Sequence, residues 1–172
     1  MTRILPGQDL DTPLHLDLII GTRWDLEKQA DDMPWRMVVV YRGLHCPLCK
    51  KQLKDLSNQL RDFVDAGCVV VTASMDSEER VKQAHSDWEL GDLPLAFELS
   101  EDTVRAFGLY VSESISDNEP AKFAEPAILL FKHAKLYAAW IQSVPFARPA
   151  FEDVRSAMAF IDDKDYPPRG TA

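Results

Sequence analysis

The chain has 172 residues, 46% of them hydrophobic and 27% charged, which is enough apolar material for one good core and places it among ordinary soluble globular proteins. A formal net charge of -9 argues against nucleic acid or an anionic membrane surface as partner, because such a chain gains nothing from counterion release or basic-patch attraction. No apolar run approaches the roughly 20 residues of a membrane span, residues 1–8 lack the basic and apolar segments of a secretory signal, and three cysteines, an odd number, suit a reducing compartment; a cytoplasmic protein is expected.

Residues 14–20 and 23–26 read as two short strands joined by a turn at Gly21-Thr22. Met37-Val38-Val39-Val40-Tyr41 is a β-branched run suited to a central strand buried on both faces. From 48 to 66 the apolar positions Leu53, Leu56, Leu60, Phe63 and Val64 recur at helical spacing, and Gly67 stops the helix. Residues 68–73 form a second buried strand, in which Cys68 reads as a packed small hydrophobe. Ser77 caps a helix running to Trp88, with Glu78 and Glu79 in its acidic first turn. Residues 95–99 follow a turn, residues 102–107 form a short helix closed by Gly108, and the polar segment 112–122 reads as an exposed loop. Residues 127–131 and 136–141 flank a polar turn and predict a hairpin. Pro149 opens a last helix with Val154, Met158 and Ile161 on its apolar stripe, and the tail from Asp162 is expected in solvent.

Cys46 and Cys49 fall between the first buried strand and the first helix. The thiolate is the nucleophile in disulfide exchange and peroxide reduction, and the unpaired N–H groups and positive dipole end at a helix start lower a cysteine pKa from about 8.5 to between ~3.5 and 7.5. Cys46 is placed for that effect, Pro47 suits the first helical position, and Cys49 returns to nearly the same face one turn later, within reach of a sulfenic acid or mixed disulfide on Cys46. Two alternatives accompany the redox reading: a merely packed pair, and a zinc half-site completed by His45. A closed zinc site wants about four ligands, and the sequence offers neither a second cysteine pair nor a closely spaced histidine pair, so no metal or cofactor is expected.

The succession of strand, redox helix, strand, helix, short strand, hairpin and closing helix defines an α/β thioredoxin-like fold: a central mixed sheet flanked by helices, with an N-terminal β extension, in a single domain over 1–172. Residues 14–26, residues 101–110 and Glu125-Pro126-Ala127 resemble, in turn, the opening strands, the glycine-ended short helix and the thioredoxin-fold cis-proline site of the peroxiredoxin (AhpC/TSA, thiol-specific antioxidant) family. The run from Val38 to Cys49 resembles the peroxiredoxin-like subgroup with an active-site cysteine pair. The resemblance implies that Cys46 is the attacking cysteine, Cys49 a resolving cysteine and Pro126 the proline facing them. It also implies a hydroperoxide or disulfide substrate, a thiol reductant such as thioredoxin or glutathione and, by analogy alone, a homodimer. Three positions depart from the pattern: Gly43 stands for the threonine three residues before the attacking cysteine, Val39 for the proline seven before it, and Glu125 for an arginine ahead of the later central strand.

The threonine and arginine normally hold the peroxide oxygens and favour the thiolate, and comparable donors are worth roughly 2.7 to 4 kcal/mol each. Arg42 and Arg148 are the candidate replacements, Arg42 with a solvated strand-end charge as its alternative and Arg148 held between Pro145 and Pro149. His45 is a candidate to lower the Cys46 pKa when protonated or to shuttle a proton, and Glu125 a candidate proton acceptor for Cys49. Three readings stand open: a thiol peroxidase resolved by Cys49, a thioredoxin-like thiol-disulfide oxidoreductase without peroxidase activity, and a non-enzymatic redox-sensing module.

Overall fold

In the computed structural model residues 4–11, 13–28 and 32–172 are described; residues 1–3, part of the segment read above for a leader, lie outside them. The β-branched run becomes β3 (Trp35–Val40), every residue of which is buried. Ahead of it, β1 (His15–Asp17) and β2 (Arg23–Asp25) pair antiparallel, and Leu18 bridges to Ala96. Helix α1 (Pro47–Asp65) follows β3 and ends at Gly67, whose φ of +74° lies in the left-handed region glycine tolerates. Then come β4 (Cys68–Ala73), α2 (Glu78–Asp87), β5 (Leu95–Ala96) and α3 (Glu101–Ala106). The chain continues with β6 (Val111–Glu113), β7 (Lys122–Ala124), β8 (Ala127–Lys132), β9 (Lys135–Ile141) and α4 (Phe151–Lys164).

The five-stranded sheet runs β5-β4-β3-β8-β9. β3 is parallel to β4 and antiparallel to β8, so the sheet is mixed. Alternation along β3 distributes the core: Trp35, Met37 and Val39 face Leu53, Leu56 and Phe63 of α1, Val81 of α2 and Val154 of α4, whereas Val38 and Val40 face Leu14 and Leu16 of the N-terminal hairpin and Val104 of α3. Burying each such leucine, valine or phenylalanine contributes about 1.5–3 kcal/mol, so both faces of the sheet are anchored. The C-terminal end of β3 opens into residues 41–46, which deliver the cysteine pair to the first turn of α1.

Four expectations are corrected. The segment 112–122 is not loop throughout: Val111 to Glu113 pairs with Lys122 to Ala124, because buried Phe123 and Ala124 anchor one side and Ser112 bonds Glu125 on the other. The strand at 95–99 is two residues long, since Phe97 donates to the Asp17 carbonyl and Glu98 turns at φ +51°. Asp162 belongs to α4, where it accepts from Trp35 Nε1 at 2.9 Å and Lys132 Nζ at 2.8 Å. The Glu125–Pro126 peptide is trans: Pro126 enters β8 directly, with its carbonyl accepting from the Gln142 N–H at 2.9 Å, and extended backbone is what a residue before proline favours.

Candidate active site

Cys46 is the N-cap residue of α1, and its sulfur accepts the Cys49 backbone N–H at 3.3 Å. This satisfies one of the donors a helix start leaves orphaned and places a forming negative charge at the positive end of the helix. The Cys46 pKa falls to about 5: the Cys49 thiol bonds its sulfur, the Cys49 N–H adds to that, and the Arg148 guanidinium lies close by, together outweighing burial. Cys49 moves the opposite way, held well above an ordinary thiol by burial and by the neighbouring Cys46 charge. One thiolate and one thiol thus share a site in which both residues are unbridged and buried.

Arg148 reaches this pair from the segment after β9, which leaves the sheet at the same end as β3. Its Nη2 lies 3.3 Å from Cys49 Sγ and 3.7 Å from Cys46 Sγ, while Nη1 donates to Gln52 Oε1 at 2.6 Å and Nε to the Pro145 carbonyl at 2.9 Å. Gln52 lies on α1 three residues after Cys49, and that spacing is the one sequence signal for it. Held on three sides, the guanidinium is positioned before any substrate arrives.

Arg42 is arranged differently. Its backbone N–H donates to Cys49 Sγ at 3.4 Å, but its side chain turns away, pairing with Glu125 and Glu119 at 3.4 Å each and lying 4.6 Å over the Phe123 ring. The arginine and carboxylate of this buried pair therefore latch the β6–β7 hairpin over the cysteine loop instead of facing the sulfurs. Glu125 also accepts from Ser112 Oγ at 2.6 Å, so it belongs to the same latch. His45 packs at a tilt against Phe123 with centroids 4.7 Å apart, and neither of its buried ring nitrogens has a hydrogen-bond partner among the described residues. Burial and then Arg42 lower its pKa, which works against a protonated ring at this position. Pro126 is buried immediately before β8, next to the Val40–Ala127 register that sets the end of β3.

Asp76 gives no sequence signal of its own. Its buried carboxylate accepts the Leu44 N–H at 2.7 Å and Arg80 Nε at 2.9 Å, fixing the loop that carries Cys46. Cys68 is fully buried in β4, and burial pushes its thiol up to about 12, which leaves it inert.

A fold of the thioredoxin type with a low-pKa cysteine at a helix start and a second cysteine one turn on defines a thiol-based oxidoreductase. The sequence profile of the AhpC/TSA family matches residues 10–138, and the chain belongs to that family, whose members are thiol peroxidases. The fold is also that of solved peroxiredoxins. A cysteine-to-serine mutant of peroxiredoxin 6 from Arenicola marina aligns with TM-score 0.77 at 15% identity, covering 96% of this chain and 80% of that one. AhpC from Enterococcus faecalis aligns at 0.74 and 18%, covering 96% and 98%, and the peroxidoxin BcpB from Mycobacterium tuberculosis at 0.71 and 16%, covering 91% and 96%. No curated protein matches the sequence. Peroxiredoxins act on peroxides and are reduced by thioredoxin or glutathione systems.

Proposed function

We propose that Cys46 is the attacking residue of a thiol-dependent peroxidase and Cys49 its resolving partner, in a reducing, cytoplasmic compartment. The observation that carries this reading is the contact of one guanidinium, Arg148, with both sulfurs, beside an N-cap sulfur whose pKa is about 5. The Cys46 thiolate attacks the terminal oxygen of a hydroperoxide; an S–O bond forms, the O–O bond breaks, and the alkoxide leaves as an alcohol after taking a proton from solvent. Arg148 sits where negative charge builds on those oxygens, the task for which the usual threonine and arginine are missing. The Cys49 thiol then displaces hydroxide from the sulfenic acid, losing its proton, so that water and a Cys46–Cys49 disulfide form. Two equivalents of an external thiol reduce the disulfide by exchange.

One observation favours a second reading. Gly43 and Glu125 leave positions 43 and 125 without peroxide-holding donors, and thiol-disulfide exchange needs none. Mass spectrometry of variants treated with hydroperoxide tests the assigned roles. Cys46→Ser should show no oxidation, and Cys49→Ser should stop at a sulfenic acid trapped by a carbon nucleophile; the reverse pattern would exchange the two roles.

A further inference from the structure

Two arginines approach the cysteine pair, and they differ in what holds their charge. The Arg42 guanidinium is given to acids, with Glu119 and Glu125 each 3.4 Å away. Arg148 has no carboxylate within ion-pair reach among the described residues. Its Nε and Nη1 donate to uncharged oxygens, the Pro145 carbonyl at 2.9 Å and Gln52 Oε1 at 2.6 Å, and its Nη2 is left to the sulfurs at 3.3 and 3.7 Å. A cation held by uncharged acceptors keeps its full charge for whatever faces it, whereas one paired with a carboxylate does not.

Gln52 is the side chain that aims this group. A guanidinium only donates, so the amide oxygen faces it, and positions 49 and 52 are neighbours on one face of α1. Nη1 and Nη2 lie in one rigid plane, so an acceptor on Nη1 settles where Nη2 points. Arg148 and Gln52 are both half-buried and line a groove open to solvent, where water is the competing partner for either. Ala147, just before the arginine, sits at φ +53°, a costly conformation for a residue with a side chain that persists where surrounding contacts fix it. We infer that Gln52 is a positioning residue for the redox pair: its uncharged oxygen turns the Arg148 fork onto both sulfurs and leaves the positive charge to them. The other charged or titratable neighbours are Cys49 on α1, Arg42 and His45 on the preceding loop and Asp76 between β4 and α2; Arg42 is tied to Glu119 and Glu125, and Asp76 to Arg80. The inference rests on the peroxidase reading only for its effect on rate; its effect on the thiolate needs no peroxide.

The test titrates the reduced protein by the ultraviolet absorbance of the thiolate, which needs no reagent to reach a buried sulfur, with Cys46→Ser assigning the step to Cys46. Gln52→Met keeps the length of the side chain and removes the acceptor; Gln52→Glu keeps an acceptor and adds a charge. Both suit a helix, and denaturant unfolding checks that they fold. The Cys46 midpoint should rise by about one pH unit in each, through a misplaced fork in the first and a neutralised cation in the second. In an Arg148→Ala background Gln52→Met should move the midpoint no further, because Gln52 acts through the arginine. Oxidation by an organic hydroperoxide should slow by about tenfold in Gln52→Met even well above the midpoint, where the thiolate is fully formed. An unaltered midpoint in Gln52→Met, an equal shift that persists without Arg148, or a midpoint in Gln52→Glu at or below that of the unaltered protein would overturn the inference. If the peroxidase reading fails, the unaltered protein is not oxidised by the hydroperoxide at all, while the titrations still decide the role of Gln52.

Discussion

A Cβ built on Gly43 would lie 2.5 Å from Asp76 Oδ2, so the buried carboxylate occupies the space that a side chain at position 43 needs. The backbone there has φ +131°, a conformation that side chains rarely adopt. The space that a threonine of the family pattern would fill is therefore taken by a carboxylate from the connection between β4 and α2, which accepts the Leu44 N–H. Gly43→Ala should destabilise the fold by about 1–3 kcal/mol through overpacking and strain. Asp76→Ala should cost a similar ~1–3 kcal/mol by leaving the Leu44 N–H unpaired. Denaturant unfolding of both variants measures this; a neutral Gly43→Thr would contradict the packing described.

Arg148→Ala removes the guanidinium from both sulfurs. Cys46 oxidation by hydroperoxide should slow by about a hundredfold, as when a charge-stabilising donor is lost from an oxyanion site. The Cys46 pKa should rise, which alkylation rates across pH report. Arg148→Lys should recover part of the pKa effect and little of the rate, since an ammonium is a point charge and cannot present a fork to two atoms. An unaltered oxidation rate in Arg148→Ala would assign the residue to loop structure alone.

The opposite shifts of the two thiols make the stability of the reduced protein depend on pH. Cys46 has a lowered folded pKa, about 5, so its contribution is complete above the ordinary thiol range and is lost as pH falls toward 5. Cys49 has a raised one, so its contribution is present below the ordinary range and is lost as pH climbs above it. The unfolding free energy of the unaltered protein minus that of Cys46→Ser should therefore rise from pH 5 to pH 8. A flat difference would mean that Cys46 is not held as a thiolate.

Arg42 of the cysteine loop pairs with Glu125, which stands where the family pattern has an arginine. Their side chains are only 14% and 4% exposed, so Arg42→Ala should cost about 3 kcal/mol by stranding a buried carboxylate. Replacing both by methionine should recover most of that loss, because the desolvation cost of the pair disappears with it. Thermal or denaturant unfolding of the single and double variants decides this.

The strands and helices that carry an apolar period were legible from sequence. The run at β3 and the 3.6-residue spacing of Leu53, Leu56, Leu60 and Phe63 specify their partners through burial, and the glycine after α1 marks its end. The cysteine pair and Arg148 were also legible, the first from spacing and the second from its setting between two prolines. The β6–β7 hairpin was not, because its residues are mostly polar and it is held by Arg42, Glu119, Ser112 and Phe123, contacts between distant segments that no local pattern encodes. Asp76 was hidden for the same reason: it lies 32 residues from the N–H it holds. His45 reads from sequence as a titrating neighbour, and only the structure shows its burial against Phe123, which lowers its pKa.

The central claim is that Cys46 meets a peroxide and Cys49 closes the disulfide. The most direct measurement is the rate at which fully reduced protein forms that disulfide with an organic hydroperoxide, compared with oxidised glutathione, followed by tryptophan fluorescence and confirmed by mass. The account predicts fast closure with the hydroperoxide and slow exchange with glutathione. Slow reaction with the hydroperoxide and ready exchange with glutathione would contradict it and make the protein a thiol-disulfide oxidoreductase on a peroxiredoxin frame.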